Sequence, residues 1–459
     1  MPEIADLQAV VLARAIRERE ISPVEATKAA LDRIAARANL NAFITVVAEQ
    51  ALDAAREAER RVMAGEPLGP LHGVPFSVKD LTNTSGVRTT FGSAIFEHNM
   101  PAEDAVAVRR AKAAGAILLG KTTTPEFGHK QSTDAPIFGR TLNPIDANVT
   151  CGASSGGAAV AVAAGMGPLA LGTDGGGSIR IPAACCGVVG FKATLGAVAN
   201  LQPPDLFAAN SYVGPLARDV ADTALLFGVI AGPDAGDPYG QLTPPREPAL
   251  QSLAGVRVAW LERCGNRIDA RVTAATLAAM RKIEAQGAIV EPIEIDFVAL
   301  EPAFLVMLES AIASRVAPHL ARFRDRLDPH LVETVEKGLA HGAVALQNAG
   351  AARSAAFRAV QRIFERHDFI ISPTLSAPPL PLGPQLPDGP ILIDGQPAGT
   401  LRGGWYPYTF PFNLTGHPAI SIPCGATAEG LPMALQIVGK WHSDHRLLAV
   451  AALTEPLAR

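Results

Sequence analysis

Two serines in glycine-rich turns, Ser154 in CGASSGG (151–157) and Ser178 in GTDGGGSIR (172–180), have surroundings suited to chemistry. In the second turn three glycines run straight into Ser178. Glycine reaches backbone angles closed to other residues and lets a ligand come close to the main chain. Successive exposed N–H groups in such a turn form a concavity for negative charge. A serine at its end meets a carbonyl oxygen held by donors, which is what acyl transfer requires. The alternative is a flexible glycine linker. The apolar run AAVAVAAGMGPLAL (158–171) argues against it, because it sets both turns on a core.

Such turns need elements to hold them. Residues 3–63 read as helices, with apolar positions recurring at three and four and Ala, Glu and Arg prominent. GVPFSVKD (73–80) reads as a short buried strand ending in Lys79. A helix over 104–114, stopped by Gly115, leads into a buried strand at 116–119. Helix followed by short apolar strand recurs over 274–290, the pattern of an α/β layer fold. The Gly/Pro/Asp-rich passage 233–248 reads as a link between halves, and VRVAW (256–260) restarts with a strand. Helices fill about 270–287 and 303–366, then come a strand at 369–372 and a Pro-rich loop over 373–397. Strands at 419–422 and 433–438 and a terminal helix close the chain. GAILLGKT (115–122) matches the phosphate-loop pattern, but three consecutive aliphatics fill its interior and a helix precedes it. A phosphate loop needs a strand before and a helix after, so nucleotide binding is set aside.

The totals narrow the class. The chain has 459 residues, 48% of them hydrophobic, enough for a large core. With 18% charged residues and a net charge of −4, nothing favours nucleic acid or an anionic membrane. Five cysteines without metal spacing point to a reducing, cytoplasmic setting and no disulfide framework. The N-terminus reads as a charged amphipathic helix without the apolar stretch of a signal peptide. The run 158–171 is broken by Gly165, Gly167 and Pro168 and is too short to span a bilayer.

GVPFSVKD (73–80), EF (126–127), FGRTLNP (138–144), GASSGG (152–157) and GTDGGGSIRIP (172–182) together resemble the amidase signature family. So do VGPLARDVADTALLFGVIAGPD (213–234), FNLTGHPAISIP (412–423) and LPMALQIVG (431–439), all in the family's order. The spacing of 24 residues from Ser154 to Ser178 is also the family's. The resemblance implies one α/β domain over 1–459, a central mixed β-sheet covered by helices on both faces. Its signature core lies at about 71–197, and a variable, substrate-shaping region covers about 240–410. It further implies Ser178 as nucleophile, Ser154 as bridging serine after a cis peptide bond, and Lys79 as base. Ala153 stands where many members have glycine.

The chemistry of these residue types agrees. A serine hydroxyl needs an adjacent base. A lysine serves only when neutral, its pKa brought from roughly 10.4 to about 7 or 8 by burial. Asp80 would oppose that, so it is expected to point away. The oxyanion would sit on the amides of Gly175, Gly176, Gly177 and Ser178. Asp174 and Arg180 would pair to hold the turn, and Ser155 would cap the following helix. A Ser–His–Asp triad is the competitor, with His72, His129 and His417 near the motifs, but no G-x-S-x-G elbow is present. Metal hydrolysis lacks its motifs, and the resemblance implies neither metal nor cofactor.

The expected activity is hydrolysis of a small amide, with aryl amides, carbamates (urethanes) and esters as related substrates. No nucleic acid or membrane partner is expected, and the chain should be a monomer or homodimer. The alternative is the amidase subunit of an aminoacyl-tRNA amidotransferase, working with partner chains. Segments expected to shape the pocket are 129–138, 202–212, 303–320 and the aromatic WYPYTF (405–410). The candidates within them are Thr133, Tyr212, Trp405, Tyr406 and Tyr408. No basic cluster accompanies the aromatics, which argues against a strongly anionic substrate.

Overall fold

Eleven strands drawn from almost the whole chain pair into one mixed sheet in the computed structural model, which describes residues 3–208, 210–240, 250–383, 386 and 388–458. They are β1 (Phe43–Val46), β2 (Pro75–Lys79), β3 (Ile117–Thr122), β4 (Leu169–Asp174), β5 (Val189–Lys192) and β6 (Tyr212–Ala217). Then follow β7 (Arg257–Trp260), β8 (Ile289–Pro292), β9 (Phe369–Pro373), β10 (Ala419–Ala426) and β11 (Pro432–Gly439). The hydrogen-bonded order is β1-β3-β2-β4-β6-β5-β10-β11-β9-β7-β8.

One parallel trio decides where the site lies. β2 runs parallel to both β3 and β4, with Phe76 opposite Leu118 on one side and Leu169 on the other. All residues of these three strands are buried, as expected of parallel strands covered on both faces. Parallel pairing brings carboxyl ends together, so Lys79 at the end of β2 arrives beside Thr173 and Asp174 at the end of β4. The helix Gly156–Ala163, wholly Gly, Ala and Val, leads into β4 and packs against the sheet. Its composition fits a tight space, since a Cβ on Gly157 would lie 2.6 Å from the Ala42 carbonyl oxygen.

Several expectations change. The region 3–63 holds β1 between helices Pro23–Ala36 and Ala48–Ala64, because FITV pairs antiparallel with β3. The helical stretch 303–366 is divided into Glu301–Val316, Leu320–Phe323, Pro329–Ala340 and Ala343–Phe364. Two of the breaks fall at Pro318 and at Pro329, where the ring suits only a helix start. Gly120, Lys121 and Thr122 belong to buried β3 with helix Val106–Ala113 before it, the reverse of a phosphate loop. Residues 241–249 of the expected link lie outside the described residues. Among the described residues one segment, Val298–Arg326, is long and apolar enough by composition to cross a membrane. Here it holds a helix that walls the cavity described below. All five cysteines are free and buried.

The largest core cluster packs helices on the sheet, with Phe191 and Phe227 edge-to-face at 5.0 Å. Phe191→Ala should therefore cost about 3–5 kcal/mol, read as a lower midpoint of denaturant unfolding.

Candidate active site

Lys79 is wholly buried, and its Nζ meets four oxygens. Ser154 Oγ lies at 2.6 Å, Thr173 Oγ1 at 2.9 Å, Ser155 Oγ at 3.0 Å and the Thr173 carbonyl at 3.4 Å. The peptide bond Ala153–Ser154 is cis. Burial pushes the Lys79 amine well below the usual lysine range, with the Asp174 charge pulling the other way. Asp80 faces elsewhere: its Oδ2 accepts from the Thr90 amide at 2.9 Å, in the field of Lys121. Ser155 does not cap its helix, contrary to expectation. Its hydroxyl donates to the Thr173 carbonyl at 3.0 Å and accepts from the Thr173 amide at 3.2 Å. Thr173 was not singled out from the sequence, although it stands inside the GTDGGGS turn.

The glycine turn is anchored from beneath. The Ser178 carbonyl accepts from the Ser155 amide at 3.0 Å. Asp174 and Arg180, both unexposed, pair through Oδ2···Nε and Oδ1···Nη2, each at 3.0 Å. Arg180 Nη1 also donates to the Thr409 carbonyl and Gln436 Oε1, and Nη2 to Asn413 Oδ1. All five guanidinium hydrogens are thereby used. Burial works against the Asp174 charge, but Arg180 overrides it and holds the carboxyl well below its usual range. Asp174 also accepts from the Gly177 amide at 2.6 Å and the Ile179 amide at 3.1 Å. That removes Gly177 from the expected oxyanion donors, because its hydrogen is already committed. Among the described residues, the amides of Gly175, Gly176 and Ser178 have no protein acceptor. Gly177 itself adopts φ +120°, and a Cβ there would lie 2.4 Å from Thr409 Oγ1.

Ser154, Thr173, Gly175, Gly176 and Ser178 all face a cavity of about 800 Å³. Of the pocket residues expected from sequence, only Tyr406 lines it. Thr133 turns its hydroxyl to the Gly152 carbonyl at 2.8 Å, and Tyr212 donates to the Asn413 carbonyl at 2.8 Å. Trp405 Nε1 and Tyr408 Oη donate to the carbonyls of Ala377 and Glu262, which draws both rings into the core. Three of the expected segments do line it, through His129 and Gln131, through Gln202 and Asn210, and through Phe304, Met307 and Leu308 of the helix Glu301–Val316; Phe127 and the helix Ala343–Phe364 add walls that were not expected. Arg315, Arg353 and Arg402 also line it, so the expected lack of basic residues is corrected. Arg315 and Arg353 are distant in sequence from WYPYTF, whereas Arg402 stands only three residues before it and joins the two others only through the fold. The helical spacing of 304, 307, 308, 311 and 315 marks one face, but not what that face adjoins.

His129 borders the cavity without forming a serine triad. Its Nδ1 donates to the Glu126 carbonyl at 2.7 Å rather than to a carboxylate. Burial, with His330 alongside, pushes the ring down to about 3, so it is neutral. His72 and His417 bond to Ala58 and Thr415.

A family model described as Amidase matches residues 25–448. The chain is 36% identical to an acylamidase of Rhodococcus erythropolis, over 97% of this chain and 94% of that one. It is 37% identical to a glutamyl-tRNA(Gln) amidotransferase subunit from Symbiobacterium thermophilum, over 97% and 95%. The solved structure of a bacterial aryl acylamidase of the amidase signature family superposes with a TM-score of 0.90 at 28% identity, covering 98% of this chain and 96% of that one.

Removing one partner of a buried ion pair leaves the other uncompensated. Arg180→Met should cost about 3–5 kcal/mol, and Arg180→Lys should recover only part, since an ammonium lacks the planar fork. The thermal midpoints of the two variants check the order.

Proposed function

The chain belongs to the amidase family, and from that premise we propose that it hydrolyses small amides through an acyl-enzyme on Ser178. The observation that carries this reading is Lys79 Nζ, buried at 2.6 Å from Ser154 Oγ with no carboxylate among the described residues hydrogen-bonded to it. A neutral amine has two hydrogens and one lone pair. Ser155 has given its own hydrogen to Thr173, so toward Lys79 it accepts. With the amine's hydrogens on Ser155 Oγ and Thr173 Oγ1, the lone pair falls to Ser154.

On this reading Ser178 Oγ attacks the amide carbon, its proton passes to Ser154, and Ser154's proton passes to Lys79. The oxyanion rests on the free amides of Gly175, Gly176 and Ser178, where one donor is typically worth about a hundredfold or more in rate. The C–N bond breaks as Lys79 returns its proton through Ser154 to the leaving nitrogen. Water then attacks the ester by the same relay and frees the acid. Aryl amides come first among substrates, given the likeness to the acylamidases; carbamates and esters need the same steps.

The similarity to amidotransferase subunits favours a second reading, ammonia release from glutamine in a complex. Glutaminase turnover, or partner chains retained through purification, would select it. Aryl amide turnover by the isolated chain selects the first.

Ser178→Ala should abolish amide turnover, a loss on the order of 10⁴-fold or more, and Lys79→Ala should cost roughly 10²–10⁴-fold. Retained turnover in Ser178→Ala rejects the reading. The pH dependence follows from Lys79: only the amine accepts a proton, and burial moves its formation to a pH well below the usual lysine range. As pH falls through that depressed pKa the lone pair is lost, so kcat/KM should drop on the acid side with a one-proton slope. It should stay level toward the ordinary lysine range. Lys79→Arg, which cannot lose its proton, should be inactive at every pH.

A further inference from the structure

Two helices carry cations into the cavity above Ser178. Glu301–Val316 presents Phe304, Met307, Leu308 and Arg315, and Ala343–Phe364 presents Arg353. The Arg315 guanidinium lies over the rings of Phe91 and Phe127, at 5.2 and 5.5 Å from their centroids. Those rings are stacked at an interplanar angle of 14°, which fixes the cation's position. Among the described residues neither Arg315 nor Arg353 has a carboxylate within ion-pair distance or a hydrogen bond. Burial lowers the Arg315 pKa with no neighbouring acid opposing it. Arg402 differs, with Glu301 4.0 Å away. Among the described residues, the one acidic side chain on the cavity wall is Asp205, which spends Oδ1 on the amides of Phe207 and Ala208.

A half-buried guanidinium has lost water, and aromatic faces replace only part of it. Its planar fork matches a carboxylate. The wall is therefore apolar toward Phe304, Met307 and Leu308 and cationic at Arg315 and Arg353, with no internal counter-charge for either arginine among the described residues. We propose that the amide cleaved here carries a carboxylate remote from the scissile C–N bond, paired with Arg315 and drawn in by Arg353. The proposal rests on the hydrolysis reading above and adds the substrate class to it.

Two matched pairs test it. Glutaryl-4-nitroanilide against pentanoyl-4-nitroanilide places the charge on the acyl side; 4-acetamidobenzoate against 4-acetamidotoluene places it on the amine side. The expected result is a kcat/KM ratio of roughly tenfold or more for the charged member of one pair, carried by KM and shrinking in added salt. Arg315→Met should bring that ratio toward one, and Arg353→Gln should lower it. Should Arg315→Met not fold, Arg353→Gln and the wild-type ratio decide. Wild-type ratios at or below one in both pairs overturn the proposal while hydrolysis by Ser178 stands. A large ratio that neither variant changes overturns the assignment to these arginines. Turnover that survives Ser178→Ala, or no turnover of any of the four compounds, overturns both readings.

Discussion

The ion pair of Asp174 and Arg180 is the constraint on which the site depends. Both charges are fully withdrawn from water, which is tolerable only because every guanidinium hydrogen has an acceptor and both carboxylate oxygens are occupied. Arg180 reaches Thr409, Asn413 and Gln436, so a turn near residue 175 is set by segments more than two hundred residues later. Asp174 meanwhile takes the Gly177 and Ile179 amides, and those of Gly175, Gly176 and Ser178, residues that line the cavity, have no acceptor among the described residues. The Asp174 charge draws Lys79 toward its charged form, and burial outweighs that pull, leaving the amine well below the usual lysine range.

The groups proposed to break the bond and the walls of the cavity have separate origins in the fold. Lys79, Thr173 and Ser178 come from the carboxyl ends of β2 and β4, in the mixed sheet's parallel portion. Much of the wall comes from helices inserted between β8 and β9. Recognition can thus vary along Glu301–Val316 and Ala343–Phe364 without disturbing the strand ends, in line with relatives as different as acylamidases and amidotransferase subunits.

What was readable in the sequence follows from range. Lys79, Ser154, Ser178 and the turn Gly172–Arg180 stand in short segments whose chemistry is local, and the structure brings them to one place. An α/β layer fold was likewise legible from alternating helix and apolar strand, the mixed sheet only through the family resemblance, and β1, four residues between two helices, through neither. Cavity walls depend on which helix face packs where, and no local spacing reports that. Trp405 and Tyr408 show the difficulty: an aromatic cluster reads equally well as a pocket or as core, and two main-chain carbonyls at Ala377 and Glu262 decide for core. Arg315 and Arg353 stand far from any motif, so their convergence is a tertiary fact.

The complete enclosure of Lys79 has a consequence for the order of events. On the proposed route the amine becomes an ammonium where no water can relieve it. With substrate filling the cavity above, the captured hydrogen ion cannot leak to bulk solvent. It leaves with the departing nitrogen, so sealing the chamber ties the breaking of one bond to the making of the other.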